Sequence, residues 1–180
     1  AVTRRSMLLG LAGAAAVAAT PAAPAVLRGK GDFRSVRLYN PRTDEWLDTV
    51  YWVEGAYVED ALGAVSHLMR DWREEAVAPI APATIDIIAA TQRLLDCSEP
   101  FTVISGYRTA RTNAMLRRRS RGVAKNSYHV RAMAADLRLE SRSVPQVAAA
   151  AKSLGAGGVG RYSRSGFVHL DCGPVREWGR

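Results

Sequence analysis

The early part of the chain contains two short segments in which apolar and polar residues alternate. Residues 35–39 and 46–53 follow this period of two, and residues 40–44, which include a proline, lie between them. Alternation is typical of strands with one buried face, and a short polar segment with proline is typical of a turn. The pattern therefore predicts a β-hairpin.

Beyond the hairpin the pattern changes to helical spacing. Apolar residues recur three and four positions apart from Val58 to Trp72 and from Pro82 to Leu95, which predicts two helices. Further helices are predicted over residues 109–119 and 144–154, and further strands over 101–104, 134–139 and 167–171. Residues 122–126 are predicted to form a loop. Because helices and strands segregate instead of alternating regularly, we expect an α+β fold.

A glycine run at residues 155–160 precedes the last predicted strand. Phosphate-binding glycine loops open a helix, so this run does not support a nucleotide site. It predicts a turn.

The chain starts with the features of an export signal. Arg4 and Arg5 precede an uncharged apolar run from Met7 to Ala19, and small residues with proline follow at 20–25. This order predicts a secretory leader over residues 1–25, and the arginine pair indicates the twin-arginine route. The apolar run is shorter than the ~20 residues that span a bilayer, so a cleaved or anchored leader is favoured over a folded helix.

The leader sets the expected domain organisation and location. We expect a linker over residues 26–34 and one domain over 35–180, which is long enough for a core of its own. The expected location is the periplasm or cell envelope. The twin-arginine translocase is then a partner during export, and the leader could hold the protein briefly at the membrane.

The net charge is strongly positive. Lysine and arginine total 25 against 17 acidic residues, which gives +8, or +6 without the two leader arginines. Such a surface attracts polyanions. In an exported protein these are wall polymers with peptide carboxylates, or anionic lipid headgroups, and nucleic acid is not expected there. The densest basic run, residues 117–121, is either a binding patch or a solvated loop.

Two cysteines, Cys97 and Cys172, also depend on the compartment. An oxidising environment permits a disulfide between them, and buried free thiols are the alternative. Both states are open from the sequence.

The histidines differ in their surroundings. His67 lies in a predicted helix beside apolar residues, which favours a surface or packing role. His129 ends a polar loop, and Asp136 follows seven residues later inside a predicted strand. Alternation places Asp136 opposite the apolar side chains of that strand. A carboxylate in the middle of a strand needs a partner, and a metal ion is one candidate.

The last predicted strand adds a second histidine and carboxylate. Its alternation puts His169 and Asp171 on one face. Cys172 falls on the opposite face, which discourages a ligand role. Two histidines and one carboxylate leave a tetrahedral zinc site open for water, and Asp171 could act on that water as general base. The alternative is hydrogen-bonded histidines and salt-bridged aspartates without a metal.

The combination of these segments is similar to a known family. The chain contains Ser127-x-His129 with Asp136 seven residues beyond the histidine, then the glycine run, then Phe167-Val168-His169-x-Asp171-x-Gly173-Pro174-Val175-Arg176-x-Trp178. It resembles the YcbK/MepK-like murein endopeptidases, which belong to the zinc D-Ala-D-Ala peptidases related to the hedgehog amino-terminal domain. The resemblance covers residues 33–178.

This resemblance implies a fold, a cofactor and an activity. The fold is α+β, with a small antiparallel sheet flanked by helices, and the cofactor is one Zn²⁺. The activity is hydrolysis of peptide bonds in the cross-linked stem peptides of peptidoglycan. The family's ligands correspond to His129, Asp136 and His169, and the carboxylate beside the last ligand corresponds to Asp171.

A Ser-Gly-Tyr-Arg segment of the family matches residues 105–108. It gives Arg108 the role of meeting a substrate carboxylate or polarising the scissile carbonyl, for which a planar guanidinium is suited. A salt bridge at the strand end is the alternative.

Three positions depart from the family pattern. Ala132 stands where glycine is usual, so a positive φ there would strain the backbone. Cys172 replaces threonine, and Ser163 replaces proline. None of these removes a ligand, so we expect altered local geometry and the same chemistry.

Two other functions fit parts of the pattern. A non-catalytic, zinc-containing wall-binding domain would keep the ligands, but it has no need of Asp171 and Arg108. An iron(II) oxygenase also uses two histidines and a carboxylate, but its His-x-Asp comes early and here it comes last. The sequence favours a zinc metallopeptidase.

Overall fold

A computed structural model describes residues 33–120 and 122–179. The predicted leader, Arg121 and most of the predicted linker lie outside these ranges. The described elements are β1 (Phe33–Asn40), β2 (Glu45–Val53), β3 (Ala56–Tyr57), α1 (Glu59–Leu68), α2 (Pro82–Leu94), β4 (Phe101–Ser105), α3 (Ala110–Arg119), a 3₁₀ turn (Tyr128–Arg131), β5 (Ala134–Arg138), α4 (Val144–Ser153), β6 (Gly158–Tyr162), β7 (Phe167–Asp171) and β8 (Arg176–Gly179).

The strands form one sheet in the order β3-β2-β1-β4-β5-β7-β6-β8. The predicted α+β class is confirmed, but the sheet is larger than expected and mixed. β1 pairs with β4 in parallel because α1 and α2 form a crossover between the hairpin and β4. β8 pairs in parallel with β6 because both run opposite to β7. The sequence pattern does not predict β3, β6 or β8, and it extends the first helix beyond its observed end at Leu68.

Three helices cover one face of the sheet. α1 packs against β1 and β2, α2 against β1 and β7, and α4 against β6 and β7. Burial of each large apolar side chain in this layer contributes about 1.5–3 kcal/mol. Leu137 and Leu170 belong to this core, as the strand alternation predicts. Their neighbours Asp136 and His169 therefore point to the opposite face of the sheet.

A buried carboxylate fixes the hairpin to α2. Asp86 is fully buried and accepts hydrogen bonds from the hydroxyl groups of Tyr51 and Tyr57, both at 2.8 Å. Arg34 donates a third bond to it at 3.1 Å. These partners compensate the charge of Asp86 in the core.

The chain enters β5 through a left-handed residue. The hydroxyl of Ser127 accepts a hydrogen bond from the main-chain N–H of His129 at 3.3 Å and opens the 3₁₀ turn. Ala132 then has φ 54° and ψ 35°, which reverses the chain into β5. Ala132 therefore has the positive φ considered for this position. For a residue with a side chain, this conformation lowers the free energy of unfolding by about 1–2 kcal/mol.

Candidate active site

Three potential ligand atoms converge on one point. His129 Nε2 lies 3.2 Å from Asp136 Oδ1 and 3.1 Å from His169 Nδ1, and the latter two atoms are 2.9 Å apart. All three residues are buried. Zinc bonds of 2.0–2.1 Å in a tetrahedron require ligand atoms about 3.3–3.4 Å apart. The triangle therefore has close to the size, and the donor types, that one zinc ion needs.

Two strands and one turn build this triangle. Asp136 on β5 and His169 on β7 are direct partners across an antiparallel pair, so the strand register brings them together. His129 reaches the same point from the 3₁₀ turn. The sequence separates the three residues by up to 40 positions, and the fold brings all of them together as the motif predicted.

The second ring nitrogen of each histidine faces an acceptor. His129 Nδ1 lies 2.7 Å from the main-chain carbonyl of Gly106, and His169 Nε2 lies 2.9 Å from Asp171 Oδ2. A carbonyl or carboxylate can only accept, so these are the nitrogens that would carry the protons when the other nitrogen of each ring binds a metal ion. The lone pairs of His129 Nε2 and His169 Nδ1 are thereby directed into the triangle. Such acceptors orient metal-bound histidines and raise their basicity.

Asp171 is enclosed behind His169. It is fully buried, and Arg176 donates to both of its oxygens, at 2.9 Å to Oδ1 and 2.7 Å to Oδ2. The main-chain N–H of Gly173 also donates to Oδ1 at 2.9 Å. Burial alone would raise the pKa of Asp171, but the hydrogen bonds from His169, Arg176 and Gly173 outweigh it and hold this pKa well below its ordinary value. Its contacts are those of a group that orients His169.

The pKa shifts of two of the three residues, His129 and Asp136, favour metal binding. Complete burial lowers the pKa of His129, so its imidazole is neutral at pH 7. Burial also opposes ionisation of Asp136, but its contacts with His129, His169 and Arg108 prevail and lower its pKa. A neutral imidazole and an ionised carboxylate are the protonation states that bind zinc.

Two roles were considered for Arg108, a substrate contact and a salt bridge, and its surroundings fit both. Its guanidinium forms an ion pair with Asp136, and its Nε donates to the hydroxyl of Ser105 at 2.8 Å. It also borders the cleft above the triangle. The salt-bridge alternative therefore describes part of what this side chain does.

The triangle lies at the base of an open cleft of about 570 Å³. One wall is formed by residues of the segment between α3 and the 3₁₀ turn. The opposite wall is aromatic and contains Tyr162, Phe167 and Trp178. Trp178 Nε1 donates to the hydroxyl of Tyr162 at 2.9 Å, which fixes this wall. Among the described residues that line the cleft, Asp136 is the one carboxylate.

The chain is similar to proteins of one known family. The model of the family described as "Peptidoglycan L,D-endopeptidase MepK" matches residues 28–178. The chain is 39% identical over 177 residues to "Peptidoglycan L,D-endopeptidase MepK" of Escherichia coli K12, covering 97% of this chain and 96% of that protein. It is 40% identical over 146 residues to "Probable peptidoglycan L,D-endopeptidase MepK" of Haemophilus influenzae, covering 81% and 78%.

The chain belongs to the MepK family. This confirms the resemblance drawn from its motifs, and it makes the protein a peptidase of that family. The family match includes the strands that carry the triangle and the aromatic wall.

The glycine run of this MepK-family chain has a packing role that the sequence did not reveal. Residues from Gly158 onward form β6, so the predicted turn is wrong for that part. A Cβ on Gly158 would come within 2.5 Å of Asp171 Oδ2, and one on Gly160 within 2.6 Å of the Trp178 ring. Both glycines make room for groups beside the triangle. The direct pairing of Gly160 with Trp178 requires β8, which the pattern did not predict.

The remaining candidates lie elsewhere. His67 is largely exposed and lies 3.5 Å from Glu45, in agreement with the surface role expected for it. Cys97 and Cys172 are free thiols, so the disulfide alternative does not hold. None of the described helices is long and apolar enough to cross a membrane.

Proposed function

We propose that this chain is a zinc-dependent endopeptidase that hydrolyses peptide bonds in the cross-linked stem peptides of peptidoglycan. The observation that carries this proposal is the triangle of His129 Nε2, Asp136 Oδ1 and His169 Nδ1 at the base of an open cleft. Its relatives are named as peptidoglycan L,D-endopeptidases, which supports the substrate class. The cleft, the neutral imidazole of His129 and the fixed orientation of both histidines favour turnover over a non-catalytic wall-binding role.

The proposed ligands are His129, Asp136 and His169. A zinc ion held there would polarise the scissile carbonyl and lower the pKa of a bound water. Gly106 and Asp171 hold the two imidazoles in the orientation and tautomer that binding requires. The aromatic wall excludes water from one side of the peptide and limits how it can lie.

Arg108 is proposed to act on the substrate from the edge of the triangle. Its ion pair with Asp136 and its bond to Ser105 fix the guanidinium plane where it borders the cleft. From there it can donate to a substrate carbonyl or carboxylate, and a rigid donor stabilises developing negative charge without reorganisation. Arg108→Lys should keep the fold and bound zinc but lower kcat on muropeptides, whereas unchanged kcat would assign Arg108 to structure alone.

Asp171 remains a candidate general base, but its contacts favour action through His169. Its oxygens already accept from His169, Arg176 and Gly173, and it does not line the cleft. A carboxylate with a low pKa is also a weak proton acceptor. We therefore propose that Asp171 positions His169.

Digestion of purified peptidoglycan, followed by mass spectrometry of the muropeptides, tests the function. The zinc-loaded protein should release products cut within cross-linked peptides, and a chelator should stop the release. His129→Ala and His169→Ala should hold well below one zinc per chain by elemental analysis, while the exposed His67→Ala serves as the matched control. Full zinc occupancy in both ligand variants would refute the metal site, and intact cross-links with the zinc-loaded protein would refute the activity.

We also propose export to the periplasm by the twin-arginine pathway, with residues 1–25 as the leader and 35–180 as the peptidase domain. This rests on Arg4, Arg5 and the apolar run that follows them, which lie outside the described residues. Changing both arginines to lysine should retain the protein in the cytoplasm. Unimpaired export of that variant would exclude the pathway.

A further inference from the structure

Several exposed arginines of the described ranges lack acidic partners. Arg42 lies in the hairpin turn, Arg73 follows α1, and Arg117, Arg118 and Arg119 end α3; all are exposed. None of these five forms an ion pair with another residue in the described ranges. We call these five residues the basic rim.

Two members of the basic rim, Arg42 and Arg73, come from separate segments and meet on one aromatic ring. The guanidinium groups of Arg42 and Arg73 lie 5.7 Å and 4.2 Å from the centre of the Trp72 ring. Partial desolvation lowers the pKa of Arg73, and repulsion from Arg42, Arg108 and Arg119 lowers it further, against the attraction of Asp71. Arg73 therefore lies within electrostatic reach of Arg108 in the active site and of Arg119 at the end of α3.

The carboxylates near the basic rim are already engaged. Glu75 pairs with Arg70 at 3.1 Å, and Glu74 lies 3.5 Å from Arg111. Asp71 is buried and accepts from the main-chain N–H of Thr109 at 2.9 Å. Like charges gathered without counter-charges repel one another and attract an external anion.

The basic rim adjoins the substrate cleft at the end of α3. Ser120 and Gly122, which come directly after α3, line the cleft. The side chain of Asn113 donates to the carbonyl of Ala124 at 3.2 Å and ties this wall to α3. A polymer that places one peptide over the metal triangle would therefore extend its neighbouring groups onto the rim.

We propose that the basic rim is an exosite for carboxylate groups of peptidoglycan peptides that lie next to the one held in the cleft. The proposal rests on the proposed function, because it takes the same polymer as substrate. Guanidinium groups bind carboxylates through paired hydrogen bonds, and several of them match a polymer with repeated carboxylates. The position of the rim next to the cleft favours the wall over lipid headgroups, because the bound anion must belong to the molecule that carries the scissile bond.

The double variant Arg73→Gln/Arg119→Gln tests the exosite. Its matched control is Arg37→Gln/Arg93→Gln, which removes the same charge from exposed or half-exposed positions that do not line the cleft. Binding of the zinc-loaded protein to intact sacculi is measured by sedimentation. The rim variant should bind about 5–10-fold more weakly than the control, the size expected for two exposed charge contacts. Its turnover of a soluble cross-linked muropeptide dimer should stay within about twofold, because the dimer lacks neighbouring peptides.

Chemical amidation of the sacculi identifies the bound group. Binding of the unmodified protein to amidated sacculi should fall to the level of the rim variant. Equal binding by the rim variant and its control, or unchanged binding to amidated sacculi, would overturn the exosite. A loss seen only with vesicles containing phosphatidylglycerol would overturn it in favour of a membrane surface. If the unmodified protein cleaves neither sacculi nor the muropeptide dimer, the peptidase proposal fails. The sedimentation result would still decide whether the rim binds the wall.

Discussion

At the scale of single residues, each histidine of the triangle has one ring nitrogen committed to an acceptor behind it. For His129 this acceptor is a main-chain carbonyl, which mutation of a side chain cannot remove. For His169 it is the carboxylate of Asp171, which in turn depends on Arg176. The orientation of His169 is therefore the one that substitution can change.

Asp171→Asn tests this dependence. The amide keeps one oxygen as an acceptor but has no negative charge. Its NH₂ group would face the N–H donors of Gly173 and Arg176, which bind a carboxylate oxygen in the unmodified protein. We expect zinc affinity to fall about 10–100-fold, as for other partners of metal-bound histidines, with kcat at saturating zinc largely retained. Zinc titration and rates on the same samples measure both. Retained affinity with a rate loss of ~10²–10⁴-fold would instead make Asp171 the general base.

Ala132→Gly tests the cost of the left-handed turn before β5. Glycine adopts a φ of 54° without strain, which should return about 1–2 kcal/mol, while loss of the buried methyl group costs about 0.8 kcal/mol. A small rise in melting temperature is expected. Ala135→Gly is the control, since Ala135 is equally buried but lies within β5, and it should lower the melting temperature. A drop of similar size in both variants would show that Ala132 is unstrained.

The sheet face shared by Asp136 and His169 could be predicted, because strand alternation is a local property of the sequence, whereas His129 was assigned from the family motif. The enclosure of Asp171 could not be predicted, because its second partner Arg176 lies on β8 and meets it only through the sheet.

At the scale of elements, the turn after α1 is attached to the start of α3 through one carboxylate. Asp71 is buried and accepts from the main-chain N–H and the hydroxyl of Thr109, at 2.9 Å and 3.1 Å. It also accepts from the main-chain N–H of Arg73 at 3.2 Å. This contact holds the segment that carries Arg73 against the helix that carries Arg117, Arg118 and Arg119.

Asp71→Asn should show a pH-dependent loss of stability. Burial raises the pKa of Asp71, but its hydrogen bonds outweigh this and lower it below the ordinary 3.8. A lowered folded-state pKa contributes stability above about pH 4 that is lost as the pH falls through the folded-state value. The variant should therefore be about 1–3 kcal/mol less stable at pH 7, and the difference should shrink below pH 4. Urea unfolding at several pH values measures this, with the exposed Asp60→Asn as control; a constant difference across pH would contradict it.

The elements that the sequence pattern missed share a physical cause. β6 is rich in glycine and β8 is a four-residue edge strand, so neither presents an apolar period. Their conformation is set by pairing with β7 and with each other, which is a tertiary property. The α-helices and the hairpin bury one regular face each, and their sequences show it.

At the scale of the whole molecule, the α+β class follows from the local patterns, but the mixed sheet does not. The order of the eight strands depends on where the crossover through α1 and α2 places β4 in the sheet. The local hydrophobic period does not determine that position. The sequence motifs nevertheless indicated the strands that build the proposed metal site, and the family match covers those strands.

The pairing of β1 with β4 joins the hairpin to the part of the sheet that carries the metal triangle. It consists of two residue pairs, Leu38 with Phe101 and Tyr39 with Thr102. Every residue proposed here for the metal site comes after this pairing in the sequence, as do Arg117, Arg118 and Arg119 of the basic rim, whereas Arg42 and Arg73 come before it. If the rim holds the wall as proposed, inherited changes at Arg42 or Arg73 would alter how the polymer is held while the cleaving residues stay the same.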